Sequence, residues 1–148
     1  MTISSKGRYA LAAAVHMASN YDSGENLTVI SISEKLGISK IYLEQVFSLL
    51  KRGGLANSAK GSQGGYQLAR MPRQITAFDV LSAAELSLFE KVENSVSGKA
   101  PEIDAAMHSL VFEALDQAIT KTLKDTTLED LVQMVEQKKS GNELMFYI

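Results

Sequence analysis

Residues 29–68, VISISEKLGISKIYLEQVFSLLKRGGLANSAKGSQGGYQL, constrain the fold of this chain more than any other stretch. Val29, Ile32 and Leu36 fall on one side of a short helix that Thr28 can cap. Gly37 supplies the positive φ of a tight interhelical turn, Ile38 plugs the angle between the helices, and Ser39 caps the next one. That next helix, about Lys40 to Arg52, carries Leu43, Val46, Phe47 and Leu50 at i, i+3, i+4 and i+7, which makes one buried stripe. Gly53 and Gly54 stop it. Residues 55–60 and 66–69 then flank GSQGG, whose glycines permit a tight hairpin tip close to another surface. Helix, turn, helix and glycine-tipped hairpin in this order predict a winged helix-turn-helix, a mainly α fold with a small β wing.

The surface of the second helix carries the chemistry. At about 100° per residue, the face opposite the stripe is centred on Ile41, Gln45, Ser48 and Arg52, with Glu44 on the flank and Tyr42 near the N-terminal end. Gln45 and Glu44 suit base edges, Ile41 and Tyr42 a thymine methyl or a phosphate, and Arg52 the DNA backbone. Ser39 and Lys40 at the helix start, with Lys60, Gly61 and Ser62 at the wing tip, complete the candidate contacts; Lys60 is placed to enter a minor groove or neutralise a phosphate. An ordinary amphipathic helix with a polar outside has the same pattern, and the neighbouring wing is what favours a groove reader. Charge points the same way. Residues 1–81 hold nine Lys/Arg against five Asp/Glu, a net of +4, whereas residues 82–148 hold six against twelve, a net of −6.

Ahead of this motif, Ser4 or Ser5 can cap an alanine-rich helix that runs to about Ser19. Lys6 and Arg8 sit in its first turn, where cations oppose the helix dipole, so phosphate contact or plain solvent exposure accounts for them. His16 has no acidic or histidine partner at i+3 or i+4 and reads as a partly buried side chain rather than a ligand.

Beyond the wing, Pro72 marks its end, and Thr76 with Asp79 resembles a capping box for a helix to about Leu86. A polar loop follows over residues 90–100. Pro101 suits the first turn of a long helix to about Lys124, roughly 35 Å at about 1.5 Å per residue. Ile103, Met107, Leu110, Val111, Ala114 and Ile119, with Leu115 and Ala118, give it a wide apolar face. A second copy is the simplest partner for that face, and burial within one chain is the alternative. Thr126 or Thr127 caps a last helix to about Lys138. The large apolar residues Met145, Phe146, Tyr147 and Ile148 then pack on the body or meet a partner. The expected organisation is a DNA-binding domain over residues 1–86, a loop over 87–100, a dimerisation helix over 101–125, and a C-terminal helix with apolar tail over 126–148.

Several function classes are excluded. The chain has no cysteine, which removes disulfides, zinc-thiolate sites, cysteine nucleophiles and cysteine-ligated iron–sulfur clusters. No signal-peptide pattern opens the chain, and its longest apolar run, residues 9–15, is too short to cross a bilayer, so a cytoplasmic protein with no membrane partner is expected. The two histidines lie on separate predicted helices, and GSQGG precedes a strand rather than opening a helix, so no enzyme site and no cofactor are expected.

The opening SSKGRYAL, the ISKIYLEQVFSLLKRGGL helix, the wing ending GGYQLA, the ITAFDVLSA helix and the closing TTLEDL resemble the IscR, NsrR and CymR family of dimeric bacterial winged-helix regulators. The resemblance covers nearly the whole chain. It implies a dimer joined through the long helix, each recognition helix in a major groove and each wing against a minor groove. Many members hold an iron–sulfur cluster on cysteines in the loop before the long helix. That loop has none here, and although His108 falls near a histidine ligand of some members, it reads as a plain helix residue. At the wing many members read RGPGGGY where this chain reads KGSQGGY, so Lys60 keeps the charge of an arginine but loses its planar fork. Within the family the likeness is greatest to CymR-type repressors of cysteine metabolism, which also lack the cluster cysteines and can end in MFYI. The resemblance implies action together with cysteine synthase (O-acetylserine sulfhydrylase), whose active site takes a C-terminal isoleucine; the tail ending in Ile148 is a candidate for that pocket, and packing on the neighbouring subunit is the alternative. The alternatives are a regulator controlled by a directly bound small molecule and an interaction protein that binds an enzyme without DNA.

Overall fold

The computed structural model describes residues 2–59 and 64–146, with side chains for all of these except residue 86 and residues 143–146. Lys60, Gly61, Ser62, Tyr147 and Ile148, named above as candidate contacts, lie outside the described residues, as do the side chains of Met145 and Phe146.

Helix α1 (Ser5–Ser19) is the central element, packed by α2 (Val29–Leu36), α3 (Lys40–Arg52), α4 (Ala77–Ala84) and α7 (Leu128–Phe146). It can be surrounded because its buried side is nearly all alanine: Ala10, Ala13, Ala14 and Ala18, with Met17, let neighbouring backbones come close. Ser4 caps it, its Oγ accepting the Gly7 N–H at 3.2 Å. Thr28 caps α2 and Ser39 caps α3 in the same way, at 3.0 Å and 3.2 Å. Between them Gly37 stands at φ 69°, the left-handed geometry that closes the turn, and Ile38 is buried beneath it.

The stripe on α3 is buried as expected: Leu43, Val46 and Phe47 are fully enclosed and Leu50 nearly so. The wing strands are β1 (Ala56–Ser58) and β2 (Tyr66–Leu68), antiparallel in the register Ala56↔Leu68, Asn57↔Gln67, Ser58↔Tyr66. Leu27 adds an isolated bridge on the other side of Tyr66, donating to its carbonyl at 3.2 Å and accepting from its N–H at 2.8 Å. Phe47 stacks on the Tyr66 ring, 4.4 Å between centroids and 11° between planes, so the wing stands directly on the core of the helix pair. Lys51 adds a second tie, donating from Nζ to Ser58 Oγ at 2.8 Å.

Thr76 and Asp79 form the capping box of α4, Asp79 N–H to Thr76 Oγ1 at 3.1 Å and Thr76 N–H to Asp79 Oδ2 at 2.9 Å. Helix α4 ends at Ala84, short of the expected Leu86, because Glu85 leaves helical geometry and a 3-10 turn (Leu86–Phe89) takes over. Thr127 and Asp130 repeat the box at the start of α7. The two caps lie side by side: Ala77 N–H reaches the Thr126 carbonyl at 2.8 Å and Leu128 N–H the Ile75 carbonyl at 2.9 Å, over a fully buried Leu128.

The long helix differs from its sequence reading. It is α5 (Pro101–Met107), a π segment (His108–Phe112) and α6 (Glu113–Lys124), continuous in right-handed helical geometry. A π turn takes one residue more than an α turn, so positions after it are rotated by about 100° from the phase that a uniform 3.6-residue period assigns. Its C-terminal end is fixed to the body, with Lys124 Nζ over the Phe78 ring at 4.7 Å and Phe78 against Phe89 at 4.9 Å. Helix α7 also departs from expectation, running past Lys138 to Phe146. Gly141 takes no positive φ there, so the helix continues through Ser140, Gly141 and Asn142.

Candidate nucleic-acid interface

One side of α3 is enclosed and the other is bare. Ile41 is 73% exposed, a cost that burial in the chain does not offset. Glu44, Gln45, Ser48 and Arg52 stand exposed with it. Lys6, from the first turn of α1, borders one shallow hollow with Ile41, Glu44, Gln45 and Ser48. The structure therefore gathers onto one surface a cation, an amide, a carboxylate, a hydroxyl and an apolar tip, the mixture that base edges and phosphates require. The Lys40 to Glu44 ion pair is long, 4.0 Å, and solvent-exposed, so it binds Glu44 weakly and leaves it able to turn outward. Ser39 spends its acceptor on the Tyr42 N–H but keeps a hydroxyl hydrogen to donate at the positive end of α3.

Two candidates are placed differently from the rest. Tyr42 is half-buried, its ring edge-on to Tyr9 at 5.1 Å and 86°, so it packs the first turn of α3 onto α1. Arg8 does not share the Lys6 surface. Positions two apart on a helix diverge by about 200°, and Arg8 lines a groove between α1, α2 and α7, donating to Ser5 Oγ at 3.0 Å. His16 lies along the same groove, where burial first, and then Lys35 and Lys139, hold its pKa below the ordinary value.

Two buried carboxylates escaped the sequence reading. Glu85 accepts the Ser4 N–H at 2.8 Å and the Ser4 hydroxyl at 2.7 Å on Oε2. The hydroxyl bond from Ser4 is the main reason its pKa falls below the usual carboxylate range, against the opposing effect of burial. Such a group stabilises the fold above its unfolded pKa, and the contribution disappears as pH falls through the lower folded value. A Glu85→Gln protein should accordingly show a flatter acid limb in a series of thermal melts from neutral pH downward; a limb as steep as the parent's would remove Glu85 from that role. Asp104, at 4% exposure, accepts the N–H groups of Val96 at 3.0 Å and Ser95 at 2.9 Å on Oδ1; these bonds, Val96 first, lower its pKa against the opposing effect of burial, with nearby His108 adding in the same direction. No local pattern announces either partnership; the one available signal was Gly7, a glycine in the first turn of an otherwise alanine-rich helix.

The loop before the long helix does not fit an iron–sulfur cluster. The chain supplies no thiolate, and among the described residues no three His, Asp or Glu side chains converge on one point. Asp104 is engaged with the loop backbone, and the nearest imidazole nitrogen, His108 Nε2, is 3.7 Å from its other oxygen. No described helix is long and apolar enough to cross a membrane.

Exposed recognition-helix face, buried stripe, glycine turn and paired wing together define a DNA-binding regulator of the winged helix-turn-helix class. The chain belongs to the Rrf2 family, described as iron-dependent transcriptional regulators, whose model matches residues 3–134. It is 36% identical over 136 residues to the HTH-type transcriptional regulator IscR of Cronobacter sakazakii, covering 92% of this chain and 83% of that protein. Among solved structures it is similar to CymR (YrzC), the global cysteine regulator of B. subtilis, with a TM-score of 0.75 and 31% identity over 90% of this chain and 98% of the other. The T. potens IscR structure matches with a TM-score of 0.72 and 32% identity, over 93% and 90%. These relatives are transcriptional regulators, and this chain is one as well, not an enzyme.

Proposed function

We propose that this regulator is a homodimeric, cytoplasmic repressor of cysteine and sulfur-metabolism genes that binds double-stranded DNA without an iron–sulfur cluster. The observation that carries the DNA-binding half is the bare outer face of α3, where Ile41 is 73% exposed beside Glu44, Gln45 and Lys6. In this reading residues 1–86 bind DNA, with Ser39, Lys40, Ile41, Tyr42, Glu44 and Gln45 toward the bases and Lys6, Arg52, Lys60, Gly61 and Ser62 toward the backbone, while Arg8, on the groove between α1, α2 and α7, is left out of the contact. Residues 101–125 join two subunits across a twofold axis. The operator is then an imperfect palindrome whose half-sites are separated by whole helical turns.

Base and backbone contacts differ in their response to salt. Lys60→Ala should weaken binding to every sequence and lower the salt slope by roughly one ion per subunit, while Glu44→Ala should mainly relax base preference. Fluorescence anisotropy on operator and scrambled DNA over a salt series separates the two; an unchanged slope for Lys60→Ala would take the wing out of the backbone contact.

The sulfur-metabolism assignment is supported by the likeness to the B. subtilis global cysteine regulator and by the absence of any thiolate for a cluster. The same likeness extends the proposal to a partner, cysteine synthase, met through Met145, Phe146, Tyr147 and Ile148. Deleting these four residues should abolish binding to the purified enzyme, measured by calorimetry, and leave operator binding by the dimer alone unchanged. Equal affinity with and without the tail would end that assignment. Selecting bound fragments of the host genome, with and without cysteine synthase, tests the regulatory reading as a whole.

One observation favours a second reading, control by a directly bound small molecule. The groove of about 720 Å³ between α1, α2 and α7 has an apolar floor of Leu11, Val15, Leu131 and Met134 and a cationic rim that includes Lys35 and Lys139. A thermal-shift series with sulfur metabolites distinguishes the two.

A further inference from the structure

The place of Lys6 depends on where the first turn of α1 sits, and one buried side chain holds that turn. Glu85 caps the C-terminal end of α4 and is only 7% exposed. Its Oε2 receives both donors of Ser4, the backbone N–H at 2.8 Å and the hydroxyl at 2.7 Å, and Ser87 donates to Oε1 at 3.4 Å. Ser4 in turn caps α1 through the Gly7 N–H. Gly7 leaves room for the carboxylate: a Cβ there would lie 2.6 Å from Glu85 Oε2 and 3.3 Å from Leu81. Glycine is a poorer helix former than alanine, and here the close approach explains it. Lys6 stands between this clasp and the outer face of α3. Its charge reaches the Glu85 carboxylate, and its side chain borders the hollow that contains Ile41, Glu44, Gln45 and Ser48.

We propose that Glu85 is a positioning residue for DNA binding: by fixing both donors of Ser4 it sets the first turn of α1, so that Lys6 meets a phosphate beside the bases facing α3. The inference rests on the reading of α3 as the DNA-facing helix. It adds that the fit depends on a side chain that touches no DNA, located where the body joins the chain leading to the long helix. Held cations bind phosphates without the ordering cost of freely moving ones.

A double-mutant cycle tests it on the full chain. Glu85→Gln, Lys6→Ala and the combined protein are compared for operator binding over a salt series, with thermal melts in parallel. The expected result is that Glu85→Gln and Lys6→Ala each weaken binding about tenfold per subunit near 0.1 M salt and each lower the slope by about one ion. The combined protein should bind no more weakly than Lys6→Ala alone. The melting temperature should instead fall with Glu85→Gln in both backgrounds alike, which separates positioning from stability. If Glu85→Gln weakens the Lys6→Ala protein as much as it weakens the parent, or leaves affinity and slope unchanged, the positioning role is overturned while the DNA reading stands. A parent that retains no DNA at low salt overturns both. Ser4→Ala, which removes the hydroxyl but keeps the N–H, is run through the same cycle and must give the same non-additive pattern.

Discussion

Phe47→Ala should lower the melting temperature by about 10–20 °C. Phe47 is fully buried on α3, among Leu43, Val46 and Leu50, and its ring is stacked on Tyr66 of β2. Truncating a buried phenylalanine to alanine costs about 3–5 kcal/mol, and losing the aromatic pair adds roughly 0.5–1.5 kcal/mol. That total is a large part of the roughly 5–15 kcal/mol that holds an ordinary domain folded. A loss of about 4 kcal/mol corresponds to the stated shift for a chain of this size. The damage should also reach the wing. Tyr66 pairs with Ser58 on one side and Leu27 on the other, and Phe47 is the surface it rests on. Protein that remains folded at low temperature should therefore bind operator more weakly than its folded fraction predicts. A melt within a few degrees of the parent would show that the stack is not the support described above.

The same residue illustrates why α3 was legible in sequence. Ser39, the stripe Leu43, Val46, Phe47 and Leu50, and the pair Gly53, Gly54 are three independent local signals, and each marks the same thirteen residues, Lys40–Arg52. The Gly37 turn and the capping boxes at Thr76 and Thr127 are equally local, since the atoms that satisfy them lie within four residues. Where tertiary context decides, the sequence was mute. HSLVF contains no glycine or proline, so nothing marks the π segment at His108–Phe112. Ser140, Gly141 and Asn142 look like a helix stop, yet Gly141 ends a helix only where the chain turns through positive φ, and α7 continues straight. Glu85 pairs with Ser4 across 81 positions, a separation no local pattern carries. The candidate interface divides in the same way. The face of α3 follows from helical periodicity, whereas the separation of Lys6 from Arg8 onto different surfaces depends on which neighbours pack against α1.

In the proposed homodimer, Leu110→Glu together with Leu115→Glu should convert the protein to a monomer at micromolar concentration and cost at least about a hundredfold in operator affinity. Leu110 is 78% exposed in the single chain and Leu115 55%, with Ile103 at 59% and Val111 at 47% along the same long helix. Burying one such side chain in a partner contributes about 1.5–3 kcal/mol, and a twofold axis counts every residue twice. Replacing four leucines per dimer with carboxylates removes that burial and places charges in an apolar seam. A monomer holds one half-site where the dimer holds two, and linking two binding events multiplies affinity by about 10²–10⁴. Because these side chains face outward in the single chain, circular dichroism should show unchanged helix content, which separates lost assembly from lost folding. Sedimentation velocity and anisotropy on full and half operators provide the measurements. A double variant that stays dimeric would move the interface away from this face. One that becomes monomeric yet binds the full operator as tightly as the parent would show that the two half-sites are not read together.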